Sequence, residues 1–225
     1  MGNKNKGFTL LEMLIALSVI SVGVMAAFTL STANLNTAKA NGQRILAANL
    51  AREGVEFIRN VRDTNWLRIE ANLDCHPSTP TIVDLCPWDY GLDQTTSTIS
   101  FDTPFADFSQ APLINPPGGV NAAKECFADD TCALDEKNES GESHLYLQRG
   151  DSGSRINMAR LIILKAICYD SEKDEVFYSG IVDCPETHKE KIGLQVTSQV
   201  FWVDFSKEHT IEVVEELYNW REYEN

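Results

Sequence analysis

Residues 7–22 read GFTLLEMLIALSVISV, an apolar helix-forming run behind a glycine that carries one carboxylate, Glu12. The run continues to Leu30, so the 23 residues from Phe8 onward hold Glu12 as their one charged side chain. At about 1.5 Å of rise per residue, a helix of that length spans a hydrocarbon core of about 30 Å. The residues ahead of it, MGNKNKG, contain Lys4 and Lys6, and positive charge beside an apolar span favours the cytoplasmic side. The pattern predicts a chain anchored once in a membrane, with its N-terminus in the cytoplasm and residues 31–225 outside.

Three readings of this segment compete. A secretory signal removed by the general leader peptidase would find a small-x-small site in AKA at 38–40. The apolar run is longer than the usual ~7–15 residues, however, and it contains an acid. A plain signal anchor leaves Glu12 unexplained, because an ionised carboxylate in lipid without a partner is costly. Cleavage between Gly7 and Phe8 accounts for it. The new amino group on Phe8 then stands four residues before Glu12, one helical turn away on the same face. Within one chain the two charges can neutralise each other. Between staggered helices, Glu12 of one subunit can meet the amine of its neighbour and fix the axial register.

Lys4 and Lys6, Gly7, Phe8, Glu12 and the apolar residues from Leu14 to Leu30 form a pattern. It resembles the leader and helix start of type IV pilins and of the pseudopilins of type II secretion. Thr9, Leu10, Leu11 and Met13 also suit that pattern, which covers about a tenth of the chain. The resemblance implies that a membrane prepilin peptidase cuts after Gly7 and methylates the amine of Phe8, both activities being the peptidase's. It also implies other pilin or pseudopilin subunits, an inner-membrane assembly platform and membrane lipid as partners. Loss of Lys4 and Lys6 takes the formal charge from −14 to −16. Major pilins of this kind often have a helix-breaking proline near the membrane exit. Here Thr29 stands there, with Gly23 and Gly42 as the nearest soft points.

The bulk composition agrees with an exported chain. Lys and Arg number 19 against 33 Asp and Glu, a balance that argues against nucleic acid as the main partner, since few cations are available to displace phosphate counterions. Six cysteines, Cys75, Cys86, Cys126, Cys132, Cys168 and Cys184, form no CxxC and have no histidine at zinc-finger spacing. With an export-type N-terminus they read as disulfides rather than a metal site. Spacing does not choose among the connectivities. Nearest-neighbour pairing, Cys75–Cys86, Cys126–Cys132 and Cys168–Cys184, is the expectation, with free thiols in a reducing compartment as its alternative.

Behind the anchor, residues 31–66 hold no proline, and Leu35, Leu46, Leu50, Phe57 and Val61 recur at three- and four-residue steps beside Ile45 and Ile58. That spacing predicts the amphipathic second half of one long helix. Arg52, Arg59 and Arg62 lie among Glu53, Glu56 and Asp63, with Arg52 and Glu56 placed for a helix pair. A solvated, salt-bridged face explains these charges more simply than a nucleic-acid or inter-subunit contact. Residues 67–143 are punctuated by proline and glycine and read as a loop-rich, disulfide-stapled region. Trp88, Tyr90, Phe101, Phe105 and Phe108 there are better explained as a satellite core than as a ligand surface.

Residues 144–225 read as antiparallel β structure. In RLIILKAICYD, Leu161, Ile163 and Ile167 alternate with Ile162, Leu164 and Ala166, which predicts a strand buried on both faces. In GLQVTSQVFWVDF, Leu194, Val196, Val200 and Trp202 oppose Gln195, Thr197 and Gln199, and Ile211, Val213 and Leu217 share a face further on. HLYLQR at 144–149 adds a short strand, and SKEH at 206–209 suits a hairpin link in a meander. The predicted fold class is α+β, with the second half of the helix covering the sheet's apolar face. The same architecture follows from the pilin resemblance, and the last hairpin, residues 200–220, is similar to that of minor pilins that prime assembly.

Catalytic constellations are missing from the sequence. His76, His144, His188 and His209 are scattered in polar stretches, and there is no Walker loop, GxGxxG or HExxH. HKE at 188–190 has no P-C-x-x-C after it. Asp129, Asp130, Asp135 and Glu136 read as a solvated acidic loop rather than a calcium site, and NES at 138–140 is too common a pattern to use. No enzyme activity, cofactor or metal is expected. The sequence reads as a minor type IV pilin-like structural subunit in the inner membrane and then in a pilus. Its alternatives are a type II secretion pseudopilin and a membrane-tethered binding module.

Overall fold

The computed structural model describes residues 9–71, 87–92, 123–128, 133–137, 145–148, 154–179, 183–184, 189–204 and 206–220. Two compact units divide at Ile45/Leu46. Helix α1 (Leu10–Glu70) contributes to both, and everything after it belongs to the second unit. That unit contains a short helix α2 (Ala123–Ala128) and strands β1 (Ala133–Lys137), β2 (Leu145–Gln148), β3 (Ser154–Asp170), β4 (Glu175–Tyr178), β5 (Lys189–Asp204) and β6 (Lys207–Tyr218). The class is α+β, as the periodicity predicts.

The sheet runs β2-β1-β3-β5-β6, and β4 pairs with the end of β3, all antiparallel. It departs from a simple meander, because β1 rather than β2 lies beside β3. Two long strands dominate it. Their alternating residues can satisfy two cores at once because successive side chains point to opposite faces. On one face Ile162, Leu164, Leu194, Val196 and Leu217 pack with Val55, Ile58, Val61 and Trp66 of α1. Farther along the same face Ala47, Leu50 and Ala51 meet Leu134, Met158, Val200 and Trp202. On the other face Ala159, Leu161 and Phe201 pack with Ala123 and Cys126 of α2. The expectation of a strand buried on both sides is therefore met in β3.

Several boundaries differ from the periodic reading. Helix α1 continues to Glu70, because Asn65 and Trp66 are buried and hold the last turns in place. Helix α2 and strand β1 fall within the stretch read as loops. ALDEK offers only two apolar residues beside three charges, so β1 owes its form to pairing with β2 and β3. The hairpin link is shorter than SKEH. Lys207, Glu208 and His209 already belong to β6, with Asp204 paired to Lys207, and Ser206 takes the left-handed conformation (φ 63°) that tight links require.

The buried stripe of α1 also differs from the one expected. Leu35 and Ile45, in the first unit, are exposed, and Phe57 is only partly buried. In their place Ala47, Ala51 and Gly54 line the contact. Gly54 shows why small residues are used. A Cβ there would lie 2.4 Å from Ser198 Oγ and 3.2 Å from Ile162 Cδ1, so the helix sits closer to β5 than any side chain at 54 allows. Beside this point Arg160 is buried beneath the helix, donating to the Leu50 carbonyl at 3.3 Å and pairing with Glu53 at 3.1 Å. Burial pulls its guanidinium pKa below the usual value, and Glu53 opposes that shift.

Cys168 and Cys184 are joined by a disulfide that ties the end of β3 to the segment before β5. Cys126 is also disulfide-bonded, to a cysteine outside the described residues. Cys75, Cys86 and Cys132 lie outside them too, so of the nearest-neighbour pairs only Cys168–Cys184 can be placed.

The approach at Gly54 gives a coupled prediction. Gly54→Ala should lower stability by about 1–3 kcal/mol through overpacking, although alanine is the better helix former. In a Ser198→Ala background, which removes the nearest atom, most of that loss should vanish. Chemical denaturation of the four variants in detergent reads the coupling, and additive effects would contradict it.

Candidate assembly helix and sheet surface

The first unit is the start of α1. Its helix begins with Thr9 as the capping residue: the Glu12 N–H is 3.0 Å from the Thr9 carbonyl and 3.4 Å from the Thr9 hydroxyl. Thr9 and Glu12 thus have the T-x-x-E spacing of a capping box, which places Glu12 in the first turn near the positive end of the helix dipole. From the sequence, Glu12 is assigned to charge pairing and register with the Phe8 amine, although TLLE carries the capping signal too. Gly7 and Phe8 lie outside the described residues.

From Leu10 to Leu30 the side chains are exposed, including Leu11, Met13, Leu14, Ile20, Met25 and Phe28. The hydroxyls from Leu10 to Leu30 are satisfied by the helix itself. Ser18 donates to the Ile15 carbonyl at 2.7 Å, Ser21 to Ser18 at 2.8 Å, and Thr29 to Met25 at 2.9 Å. Thr32 and Thr37 bond back in the same way. A helix of this kind is compatible with a hydrocarbon surrounding, where unsatisfied polar groups are costly. By length and composition it can cross a membrane, and Glu12 is its one ionisable group from Leu10 to Leu30.

In the second unit, Arg59 and Arg62 of α1 serve local contacts. Arg59 bridges Glu56 on its own helix and Glu215 on β6, and the hydrogen bond to Glu215 is the main cause of its raised pKa. The expected Arg52–Glu56 pair gives way to this Glu56–Arg59 contact. Arg62 bonds Asp63 and lies 4.3 Å over the Trp66 ring. Trp66 in turn donates to Asn219 at 3.3 Å and meets the edge of Trp220. Asn65 holds the 87–92 turn by donating to the Trp88 and Tyr90 carbonyls at 3.1 and 2.9 Å. Trp88 is buried in the α1 core, and Asp89 pairs with Lys191 beside it. Trp88 is thus a core residue rather than part of a ligand surface, but it joins the main helix–sheet core and not a satellite one. Phe101, Phe105 and Phe108 lie outside the described residues.

His209 stacks on Trp202 at 5.1 Å, while His76, His144 and His188 are outside the described residues, as are Asp129, Asp130 and the NES sequon. Among the described residues no group of three or more His, Cys, Asp or Glu side chains could hold a metal. The polar cluster that sequence reasoning missed is on the sheet's outer face. Tyr178 of β4 and Tyr218 of β6 both donate to Glu216, at 2.6 and 2.7 Å. Gly193 lies beside Tyr218, where a Cβ would approach the Tyr218 ring to 3.1 Å and the Leu217 carbonyl to 2.9 Å. Nothing in the linear spacing joins Tyr178 to Glu216; the β4-β3-β5-β6 order does.

Comparison with known proteins adds one positive finding. A family model described as the prokaryotic N-terminal methylation motif matches residues 2–28. The chain therefore carries the hallmark of type IV pilin-like proteins. That motif implies processing by a prepilin peptidase and assembly with other pilin subunits, and it supports a pilin-like or pseudopilin precursor. No curated protein and no solved structure gives a significant match.

The cluster at Glu216 has a titration signature. The two phenol hydrogen bonds hold the Glu216 carboxyl below its ordinary pKa, and the carboxylate pushes the Tyr218 phenol up to about 12. A raised phenol pKa contributes stability that is present below the unfolded value of about 10 and is lost as pH rises through the folded one. Ultraviolet titration should therefore find a late-ionising tyrosine, and Glu216→Gln should return it to the ordinary range. An unchanged profile in that variant would contradict the assignment.

Proposed function

We propose that the chain is a minor type IV pilin-like subunit, cut after Gly7, methylated at Phe8 and assembled into a pilus through its N-terminal helix. The observation that carries this reading is the methylation motif at residues 2–28, with Glu12 as the lone charged side chain of the exposed apolar stretch Leu10–Leu30. A bare ionised acid in lipid is costly, and an amine on Phe8 one turn away, or on a neighbouring subunit, is the group that removes the cost. Residues 1–7 are then the leader, 8–30 the membrane and assembly segment, and 31–66 the part of the helix that leads onto the folded domain. The chain is held in the inner membrane before incorporation, with its sheet unit outside, and it has a structural rather than a catalytic role.

The same motif supports a pseudopilin of a type II secretion system. The likeness of the last hairpin to that of assembly-priming minor pilins favours the pilus.

Intact mass and N-terminal sequencing of the chain co-expressed with a prepilin peptidase test the processing. The expected product starts at methylated Phe8. A start at Asn41, after AKA, would make this an ordinary secreted domain, and an uncut chain would favour a membrane-tethered binding module.

A further inference from the structure

Strand β6 is an edge of the sheet, and among the described residues no strand pairs with its outer side. The phase of its ladder is fixed by the Asn219 N–H, which donates to the Ile192 carbonyl at 2.8 Å. Hydrogen-bonded and non-bonded pairs alternate in an antiparallel ladder. The odd-numbered residues of β6 therefore direct their backbone groups at β5. Glu208, Thr210, Glu212, Val214, Glu216 and Tyr218 direct theirs outward, and all six are exposed. The pairing runs from Asp204↔Lys207 to Gly193↔Tyr218 with no bulge, and β6 contains no proline. Long free edges are ordinarily interrupted by such devices.

The side chains on this edge select what can join it. Glu208 is paired with Lys124 at 2.6 Å. Glu212 accepts from Gln199 at 3.1 Å, and Glu216 from the two tyrosines described above. Those donors are neutral, so they orient the two carboxylates without cancelling their charge. Val214 lies between them, 51% exposed. A second copy's β6 is a poor occupant, since antiparallel pairing about Val214 would set Glu212 against Glu216 twice, and like charges opposite each other are destabilising.

We propose that the β6 edge binds, by strand addition, an extended segment of another protein that places Lys or Arg opposite Glu212 and Glu216 and an apolar residue opposite Val214. The segment has two basic residues four apart with an apolar one midway. The outward main-chain groups of β6 supply the hydrogen bonds, and the Glu–Val–Glu row supplies the selection. The inference stands on the second unit alone and is independent of the assembly reading.

The test titrates the full chain in detergent with a blocked nine-residue peptide having lysines four apart, valine midway and threonine elsewhere. Saturable binding below about 1 mM is expected, with slowed exchange of the outward amides from Thr210 to Tyr218. Joint Glu212→Gln and Glu216→Gln substitution should weaken binding by about tenfold or more. The same peptide N-methylated along the backbone edge that meets β6 should not bind, and neither should a version with glutamates for lysines. Val214→Pro, which removes an outward N–H while sparing the β5 ladder, should abolish binding with the circular dichroism unchanged. Absence of binding, or equal binding by the N-methylated peptide, would overturn the proposal. So would equal binding by the double variant, or a dimer of the chain that Val214→Pro converts to monomer.

Discussion

A charge inside an apolar span has to be matched by an opposite one, and in this chain that requirement falls on Glu12. The capping geometry at Thr9 goes part of the way, because an acid in the first helical turn gains about 0.3–1 kcal/mol from the helix dipole. That is well short of the several kcal/mol that an unpaired carboxylate costs in hydrocarbon. A nearby cation closes the gap, and a free amine on Phe8 is the one that processing after Gly7 would create. Every other polar side chain from Leu10 to Leu30 is a hydroxyl, and Ser18, Ser21 and Thr29 are bonded to their own helix. The helix therefore presents one strong electrostatic feature and otherwise an apolar surface, which suits lateral packing against similar helices.

The second unit uses the same helix differently. From Ala47 onward α1 lies on the sheet, and at Gly54 it approaches Ser198 too closely for a Cβ. Close approach brings the core side chains of both layers together and leaves space for Arg160 to reach the Leu50 carbonyl and Glu53. A buried guanidinium paired in this way is a poor source of net stability, yet removing its partner leaves an uncompensated charge in the core. Arg160 ties β3 to the helix at Leu50 and Glu53. Arg59 to Glu215 and Asn65 to the 87–92 turn fix further points on the same helix. Several specific polar contacts thus set the position of a surface whose driving force is apolar burial.

Much of this was readable in the sequence, for identifiable reasons. Alternation over the first part of β5 placed Leu194, Val196 and Val200 on the buried face, and the largely apolar run in β3 announced burial on both sides. The N-terminal motif was legible because it is local, with Gly7, Phe8 and Glu12 falling within six consecutive residues. What escaped detection depended on small or polar residues and on long-range pairing. Gly54 and Ala51 carry little hydrophobic signal but line the contact, while Leu35 and Ile45 carry a strong one and are exposed. Strand β1 is half charged and forms only because β2 and β3 accept it. The Tyr178–Glu216–Tyr218 cluster needs the sheet order before its members become neighbours.

The most direct measurement is the amount of this subunit incorporated into fibres when Glu12 is replaced by alanine, with processing of the variant confirmed separately. If Glu12 sets register against the amine of Phe8, the variant should be cut normally yet enter fibres at a small fraction of the wild-type level. Normal incorporation of a correctly processed Glu12→Ala chain would show that the acid is a capping residue alone.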